Sequence, residues 1–242
     1  RRAGEPGHLG DTGSLRCHRP RRVARLFEAA AGIGPIASVI HAAGVSPSMG
    51  DADYVMTTNA IGTLRVNEAF FATAGEGSAI VNVASMASHM LPDELVPAQH
   101  FDLAFTDEPP RFLTEMLAAC DIAGGEEMRS GLAYSVSKTF VRWYSSAQAE
   151  RFNARGLRIV SVSPGSVDTE MGLLEADAGA GAMVANAAVP PRWGGKAEEM
   201  AELFAFCASD RATYLTGTDI LNDGGVIASM RERARVAAQK NA

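Results

Sequence analysis

The sequence has few of the features that mark disulfide-bonded, zinc-binding or membrane-spanning proteins. Its 242 residues include three cysteines, at positions 17, 120 and 207, which lie far apart and never form a C-x-x-C pair. This pattern argues against a disulfide framework and favours a cytoplasmic location. The five histidines form no H-E-x-x-H pair, so we expect no metal site. No apolar run is long enough to span a membrane, so we expect no membrane partner.

Positive charge is scarce except at the start of the chain. The net charge is −6, which argues against nucleic acid as the main partner. Residues 1–25 nevertheless hold seven arginines and only two acidic residues. A basic arm that binds nucleic acid is one interpretation. The segment lacks aromatic residues and hydrophobic periodicity, so we predict that residues 1–20 form an irregular basic leader that binds no nucleic acid.

Short apolar segments alternate with segments of helical periodicity over residues 21–228. Helices are predicted at 22–31, 51–74, 131–154 and 197–208, and strands at 36–41, 78–85, 157–163 and 217–221. The strands are apolar throughout, which is typical of a parallel sheet that is covered on both faces. We therefore predict one α/β domain with a doubly wound parallel sheet, followed by a charged tail at 229–242.

Chemically capable side chains fall at or near the ends of the predicted strands and on one long helix. Tyr134 and Lys138 are four residues apart and share a helix face. An ammonium group there would lower the tyrosine pKa from its usual value near 10, and it could also bind a sugar hydroxyl. Ser85 ends a strand, where its hydroxyl could stabilise an oxyanion. Each feature alone also fits an ordinary surface pair or a turn hydrogen bond.

Six motifs in order resemble the short-chain dehydrogenase/reductase family, over roughly residues 21–228. They are His41-Ala-Ala-Gly44, Asn59 in Thr-Thr-Asn-Ala-Ile-Gly-Thr, Ser85, Tyr134-x-x-x-Lys138, Pro164-Gly-Ser-Val-Asp-Thr169 and Asn222-Asp-Gly-Gly225. The resemblance implies a Rossmann-like fold and an NAD(P)-dependent oxidoreductase that interconverts a secondary alcohol and a ketone. It also implies a homodimer or homotetramer, with the long helices 51–74 and 131–154 at the interface.

The resemblance also implies the role of each site residue. Tyr134 would be the general acid and base, Lys138 would bind the nicotinamide ribose, and Ser85 would polarise the carbonyl. Asn59 would hold a water molecule in the proton relay; the alternative is a helix residue that bonds locally. NAD or NADP would contact a further set of residues, which are Ala43, Gly44, Ala84, Pro164, Gly165, Val167 and Thr169.

One departure from the family concerns the phosphate site. The family opens with a strand, a T-G-x-x-x-G-x-G turn and a helix that receives the diphosphate, and this sequence contains no such turn. We therefore expect the first strand-helix-strand unit to be absent or unrecognisable. Our hypothesis is that a wrong start site or a shifted reading frame explains this. This chain would then bind the nicotinamide cofactor weakly or not at all. The alternative function is that of a truncated or degenerate family member without activity, acting as a scaffold or interaction module.

The other departure is an insertion at 89–130, between Ser85 and Tyr134. Its apolar residues at 112, 113, 116 and 117 have helical spacing. A helical lid over the substrate pocket is one interpretation, and a structural or interface insertion is the other. The insertion and the segment Pro190-Pro-Arg-Trp-Gly194 resemble the bacterial 3α-hydroxysteroid dehydrogenase/carbonyl reductase branch. That likeness implies a bulky, apolar or steroid-like substrate.

Overall fold

A computed structural model describes residues 19–106, 109–175 and 194–240. Within them, four parallel strands form one sheet in the order β1-β2-β3-β4. The strands are β1 (Ser38–His41), β2 (Ala79–Val83), β3 (Arg158–Pro164) and β4 (Asp219–Asn222). Each predicted strand overlaps one of them: β1 and β2 are shorter than the predictions at 36–41 and 78–85, and β3 and β4 each end one residue beyond the predicted range. Two predicted features lie outside the described residues: the leader up to residue 18, and residues 190–193 of the segment Pro190–Gly194.

Nine α-helices occur in the described part of the chain. They are α1 (Pro20–Ile33), α2 (Ala52–Met56), α3 (Gly62–Thr73), α4 (Pro109–Ala118), α5 (Glu126–Ala147), α6 (Ala149–Asn153), α7 (Glu170–Glu175), α8 (Ala197–Ala208) and α9 (Val226–Lys240). Asp51 begins α2 as predicted, because its Oδ1 accepts a hydrogen bond from the Tyr54 backbone N–H at 2.8 Å. The predicted helix 51–74 is interrupted by a π-helical turn at Thr57–Ile61. Such turns are frequent at functional sites.

Helices cover both faces of the sheet, as a doubly wound Rossmann-like fold requires. The strand register pairs Ile80 with Ile159 on one face, and Val81 with Val160 on the other. The first pair belongs to the main core, which α1, α2, α3 and α5 also build, and the second packs against α8. Because side chains alternate along a strand, neighbouring residues of β2 and β3 stabilise opposite layers.

The described part of the insertion packs into the main core. Phe101, Phe112 and Met116 are fully buried. The Phe112 ring lies 4.8 Å from the Phe140 ring on α5, and Phe101 lies 5.4 Å from the same ring. These aromatic contacts join the insertion to the helix that bears Tyr134. The described part of the insertion therefore packs against α5.

The outer edge of β1 is open in the described residues, where only β2 pairs with this strand. The Ile40 side chain is 45% exposed there. Among the helices described, none combines the length and apolar character needed to cross a membrane.

Candidate active site

Ser85 lies just beyond the carboxyl end of β2 and begins the short 3₁₀ turn Met86–His89. Its Oγ accepts a hydrogen bond from the Ala87 backbone N–H at 3.2 Å, and its hydroxyl also hydrogen-bonds Tyr134. The preceding residue, Ala84, donates its backbone N–H to the Val162 carbonyl at 2.8 Å. The sheet therefore fixes the chain on the upstream side of Ser85.

Tyr134 and Lys138 lie one turn apart on α5 and face the end of β2. The Lys138 ammonium donates a hydrogen bond to the Val83 carbonyl at 2.9 Å. It also lies 5.8 Å from the centre of the Tyr134 ring. Lys138 is buried and Tyr134 is partly buried. The predicted pair is thus present, and both members reach the residues that follow the strand.

The pKa of Tyr134 moves in the direction opposite to the one expected from its lysine neighbour. The net pKa is raised to about 12: burial of the phenol raises it most, the hydrogen bond with Ser85 lowers it, and the charge of Glu175 raises it. Burial prevails because a phenolate loses its hydration in a pocket of low polarity. The phenol therefore carries its proton at neutral pH, as a proton donor must.

Asn59 lies in the π-helical turn and holds the backbone that follows β1. Its Oδ1 accepts from the Val45 N–H at 2.9 Å, and its Nδ2 donates to the Val45 carbonyl at 3.1 Å. A methyl group added at Gly44 would lie 3.1 Å from the Asn59 Oδ1 and 3.3 Å from the Lys138 ammonium. Only a glycine leaves both side chains undisturbed. Asn59 thus positions the Gly44–Val45 backbone beside Lys138.

A cavity of about 230 Å³ opens at the carboxyl ends of the strands. Nine predicted site residues line it, namely Gly44, Ala84, Ser85, Tyr134, Lys138, Pro164, Gly165, Val167 and Thr169. Ala43 and Asn59 lie outside the cavity wall that the described residues form, and Asn59 is buried behind Gly44. No cavity-lining residue comes from the described part of the insertion.

Sequence patterns missed several lining residues, most notably Glu175, Met171 and Met86. Glu175 ends α7 and hydrogen-bonds Ser46, a residue that follows β1. Burial raises the pKa of the Glu175 carboxyl. The short helix α7 follows an irregular loop, so no periodicity in the sequence marks its glutamate as part of the site.

His41 is a buried titratable group behind the cavity. Burial lowers its pKa to about 4, and the charge of Lys138 contributes to the same shift. The His41 Nε2 lies 3.1 Å from the Thr63 Oγ1, whose hydroxyl donates to the Asn59 carbonyl at 2.6 Å. Because the Thr63 proton is used there, the His41 Nε2–H is the donor to Thr63. The imidazole therefore stays neutral and supports the π-helical turn.

The loop after β3 packs closely against the end of β4. A methyl group at Gly165 would lie 2.6 Å from the Asp223 Cα. The Asp223 carboxylate accepts from the Gly225 and Ile227 backbone N–H groups at 2.8 and 2.7 Å, which starts α9. Asp223 is therefore a structural residue, and Gly165 is required for close packing. Among the described residues, no group of three His, Cys, Asp or Glu side chains could hold a metal ion.

The fold and the site together define a class of protein. A doubly wound parallel sheet has its cavity at the carboxyl ends of the strands, which is where dinucleotide-binding α/β enzymes hold their ligands. A serine, a tyrosine and a lysine converge on that cavity. The chain belongs to the short-chain dehydrogenase/reductase family, whose members are NAD(P)-dependent oxidoreductases, as the following sequence comparisons show.

Related sequences cover most of the chain. The 3-alpha-hydroxysteroid dehydrogenase/carbonyl reductase of Comamonas testosteroni is 31% identical over 196 residues, which are 78% of this chain and 72% of that protein. The short-chain dehydrogenase/reductase bsc3 of Alternaria brassicicola is 29% identical over 213 residues, 85% of this chain and 74% of that protein. A family profile described as enoyl-(acyl carrier protein) reductase matches residues 116–227.

Solved structures share the fold. The 3-alpha-hydroxysteroid dehydrogenase from Pseudomonas sp. B-0831, complexed with NADH, superposes with a TM-score of 0.69 at 22% identity, and the match covers 88% of this chain and 81% of that one. A short-chain dehydrogenase from Burkholderia cenocepacia J2315, in complex with NADP, superposes with a TM-score of 0.63 at 22% identity. This match covers 88% of this chain and 74% of that one.

Proposed function

We propose that this chain interconverts a secondary alcohol and a ketone with NAD or NADP as the hydride carrier. The observation that supports this proposal most strongly is the convergence of Ser85, Tyr134 and Lys138 on one cavity. A carbonyl oxygen that enters the cavity meets two hydroxyl groups that already hydrogen-bond each other. This geometry suits acid–base catalysis at a carbonyl group.

Each residue then has a chemical task during ketone reduction. The Ser85 hydroxyl polarises the carbonyl, and the Tyr134 phenol gives its proton to the oxygen as negative charge develops there. The Lys138 ammonium holds a ribose hydroxyl and keeps its hydrogen bond to the Val83 carbonyl. When bound, the reduced nicotinamide supplies the hydride. In the oxidative direction, Tyr134 accepts the alcohol proton instead.

The cavity fits the nicotinamide end of the cofactor better than the diphosphate end. Gly44 lies against the Lys138 ammonium, and Gly165, Val167 and Thr169 form the opposite wall. The sequence contains no Gly-rich T-G-x-x-x-G-x-G turn to bind the diphosphate. In a protein made of these 242 residues alone, we therefore expect the nicotinamide and its ribose to provide most of the binding energy.

The proposed substrate is a bulky, apolar ketone or alcohol of the steroid type. The relative from Comamonas testosteroni is named a 3-alpha-hydroxysteroid dehydrogenase/carbonyl reductase. Here the cavity wall includes Met86 and Met171, whose flexible thioether side chains adapt to large apolar ligands. On α7, whose Met171 and Glu175 line the cavity, Leu173 and Leu174 are 59% and 57% exposed.

A second candidate is an inactive family member that acts as a scaffold, and the missing Gly-rich turn favours it. The active oxidoreductase and the inactive scaffold are distinguished by an activity assay. It measures turnover of a 3-ketosteroid and of a simple cyclic ketone, with NADH and NADPH at millimolar concentration. We expect Tyr134→Phe to lower kcat by roughly 10²- to 10⁴-fold, because the proton donor is lost. Tyr214→Phe, at a fully exposed tyrosine, is the matched control and should leave kcat unchanged. Retained activity in Tyr134→Phe contradicts the proposed chemistry.

A further inference from the structure

His89 lies at the end of the 3₁₀ turn that begins after Ser85, and the site described above gives it no role. Its two ring nitrogens bind side chains from two different elements. The Nε2 lies 2.8 Å from the Asp219 Oδ2 on β4, and the Nδ1 lies 2.9 Å from an Arg142 guanidinium nitrogen on α5. Histidine and aspartate are largely shielded from solvent, with 12% and 11% of their side chains exposed.

These contacts determine how the histidine proton is placed. A guanidinium group can only donate hydrogen bonds, so the His89 Nδ1 must accept and carries no proton. The Nε2 therefore carries the ring proton and donates it to the Asp219 carboxylate. His89 thus acts as donor on one side and acceptor on the other, which only the Nε2–H form of the neutral ring can do.

The aspartate end of this network is anchored firmly in the sheet. The Asp219 Oδ1 accepts hydrogen bonds from the Ser161 hydroxyl at 2.6 Å and from the Ser163 hydroxyl at 3.0 Å, both on β3. With His89 on the Oδ2, both carboxylate oxygens have donors. A charged group in this largely shielded position is stabilised by such complete hydrogen bonding.

The other side-chain contacts at the end of the turn are longer. The Ser88 hydroxyl lies 3.4 Å from the Ser163 hydroxyl, and the Thr139 hydroxyl donates to the Ser88 carbonyl at 3.4 Å. Both distances are near the limit for a hydrogen bond, whereas the two His89 contacts are at the usual length. Among the side-chain contacts at the downstream end of the turn, those of His89 are the shortest, and the Ser88 N–H links that end to Ser85 by donating to the Ser85 carbonyl at 2.9 Å.

We propose that His89 is a positioning residue that holds the Ser85 hydroxyl in its place against Tyr134, through Asp219 and Arg142. This inference rests on the proposed function, because it concerns the same carbonyl chemistry. A four-residue turn transmits a shift at one end directly to the other. A displacement of about 1 Å in a group that orients the substrate can lower turnover by roughly 10²-fold.

The first test compares three variants in steady-state kinetics. His89→Leu removes both hydrogen bonds and should lower kcat roughly 10- to 100-fold, with a smaller change in KM. His89→Gln keeps an amide donor for Asp219 and a carbonyl acceptor for Arg142, so we expect it to restore kcat to within about threefold of the parent. His100→Leu, at a histidine in the insertion, is the matched control and should not change kcat. Equal losses in the leucine and glutamine variants at position 89 overturn the proposal.

A double-mutant cycle tests whether His89 acts through Ser85. In a Ser85→Ala background, we expect His89→Leu to cause no further loss of kcat, because the group that it positions is already absent. If the two losses multiply, His89 acts by another route and the proposal is wrong. If the parent has no turnover, or Tyr134→Phe retains it, the proposed function itself fails.

Two measurements decide the placement without any turnover. ¹⁵N NMR of labelled histidine should show the His89 ring protonated at Nε2 and unprotonated at Nδ1. Amide hydrogen exchange at Ala87 and Ser88 should be faster by about tenfold or more in His89→Leu but not in His89→Gln, with Val81 in β2 as the unchanged reference. A ring protonated at Nδ1, or exchange that is the same in all three proteins, overturns the proposal.

Discussion

At the scale of single residues, burial decides the protonation states in this site. Tyr134 has a lysine one helical turn away, yet its pKa rises to about 12 because the phenol is desolvated. His41 also lies near Lys138, and its pKa falls to about 4, again chiefly through burial. Both groups are therefore uncharged at neutral pH, while Lys138 beside them is positively charged.

The raised pKa of Tyr134 predicts different pH profiles for the two reaction directions. Alcohol oxidation needs the phenolate, whose fraction grows about tenfold per pH unit below the pKa, so kcat/KM should rise steadily from pH 7 to pH 10. Ketone reduction needs the phenol and should stay flat over this range. Initial rates in both directions provide the measurement. An oxidation rate that levels off by pH 8 would show that the charge of Lys138 lowers the Tyr134 pKa by more than burial raises it.

His41 predicts a loss of stability in acid. Its folded pKa of about 4 is below the unfolded value of 6.5, so the unfolded chain binds the proton first. The contribution of His41 to the free energy of unfolding is complete above pH 6.5 and is lost as the pH falls to 4. At about 1.4 kcal/mol per pKa unit, this loss is about 3 kcal/mol. His41→Gln keeps a donor for Thr63 but does not titrate. In urea denaturation, the free energy of unfolding should fall between pH 7 and pH 4 in both proteins, and this fall should be smaller in the variant by that amount. An equal fall in both proteins would contradict the prediction.

At the scale of secondary-structure elements, the end of β1 and the π-helical turn form a single unit. Asn59 binds the Val45 backbone through both of its amide atoms, and Gly44 leaves room for Asn59 and Lys138 together. Gly44→Ala places a methyl group 3.1 Å from the Asn59 Oδ1 and 3.3 Å from the Lys138 Nζ. We expect kcat/KM to fall about tenfold, because Lys138 is displaced. Gly75→Ala, where nothing lies within 4 Å, is the control. Unchanged kinetics in Gly44→Ala would show that the site tolerates the shift.

The insertion supports α5 without forming the cavity wall. Phe112 is completely buried against Phe140, so Phe112→Ala should lower the free energy of unfolding by about 3–5 kcal/mol. The kcat of the folded variant should stay within about twofold of the parent, because none of the insertion's described residues lines the cavity. Urea denaturation and kinetics on the same preparation test both statements. A large loss of kcat with unchanged stability would identify the insertion as a lid.

At the scale of the whole molecule, the sequence predicted the sheet and most of the site but not its long-range pairings. Uniformly apolar runs identified the strands, and parallel strands bring Gly44, Ser85 and Gly165 to one edge. The contact between His89 and Asp219 joins residues that are 130 positions apart, and no periodicity encodes it. The Tyr134 pKa likewise depends on how deeply the packed helices bury it, which a four-residue spacing does not determine.

The whole chain also predicts an unusual pattern of cofactor affinity. In a protein made of these 242 residues alone, which contain no Gly-rich turn, the diphosphate and adenosine of NADH should add little to binding. We expect isothermal titration to give Kd values on the order of 1 mM for NADH, and a value within about tenfold of this for reduced nicotinamide mononucleotide. Lys138→Met should weaken both equally. A submicromolar Kd for NADH would show that another part of the chain binds the diphosphate.

The order of the strands has a consequence for how the described sheet is assembled. Each strand lies beside the one that precedes it in the chain, from β1 to β4. A ribosome therefore releases the strands in the sequence in which they join the sheet, and every new strand finds its neighbour already made. Each pairing is nevertheless long-range, because 37 residues separate β1 from β2, 74 separate β2 from β3 and 54 separate β3 from β4, and such parallel pairing is intrinsically slow. Folding of this sheet during translation can proceed from one edge to the other, with β4 and α9 as the final additions.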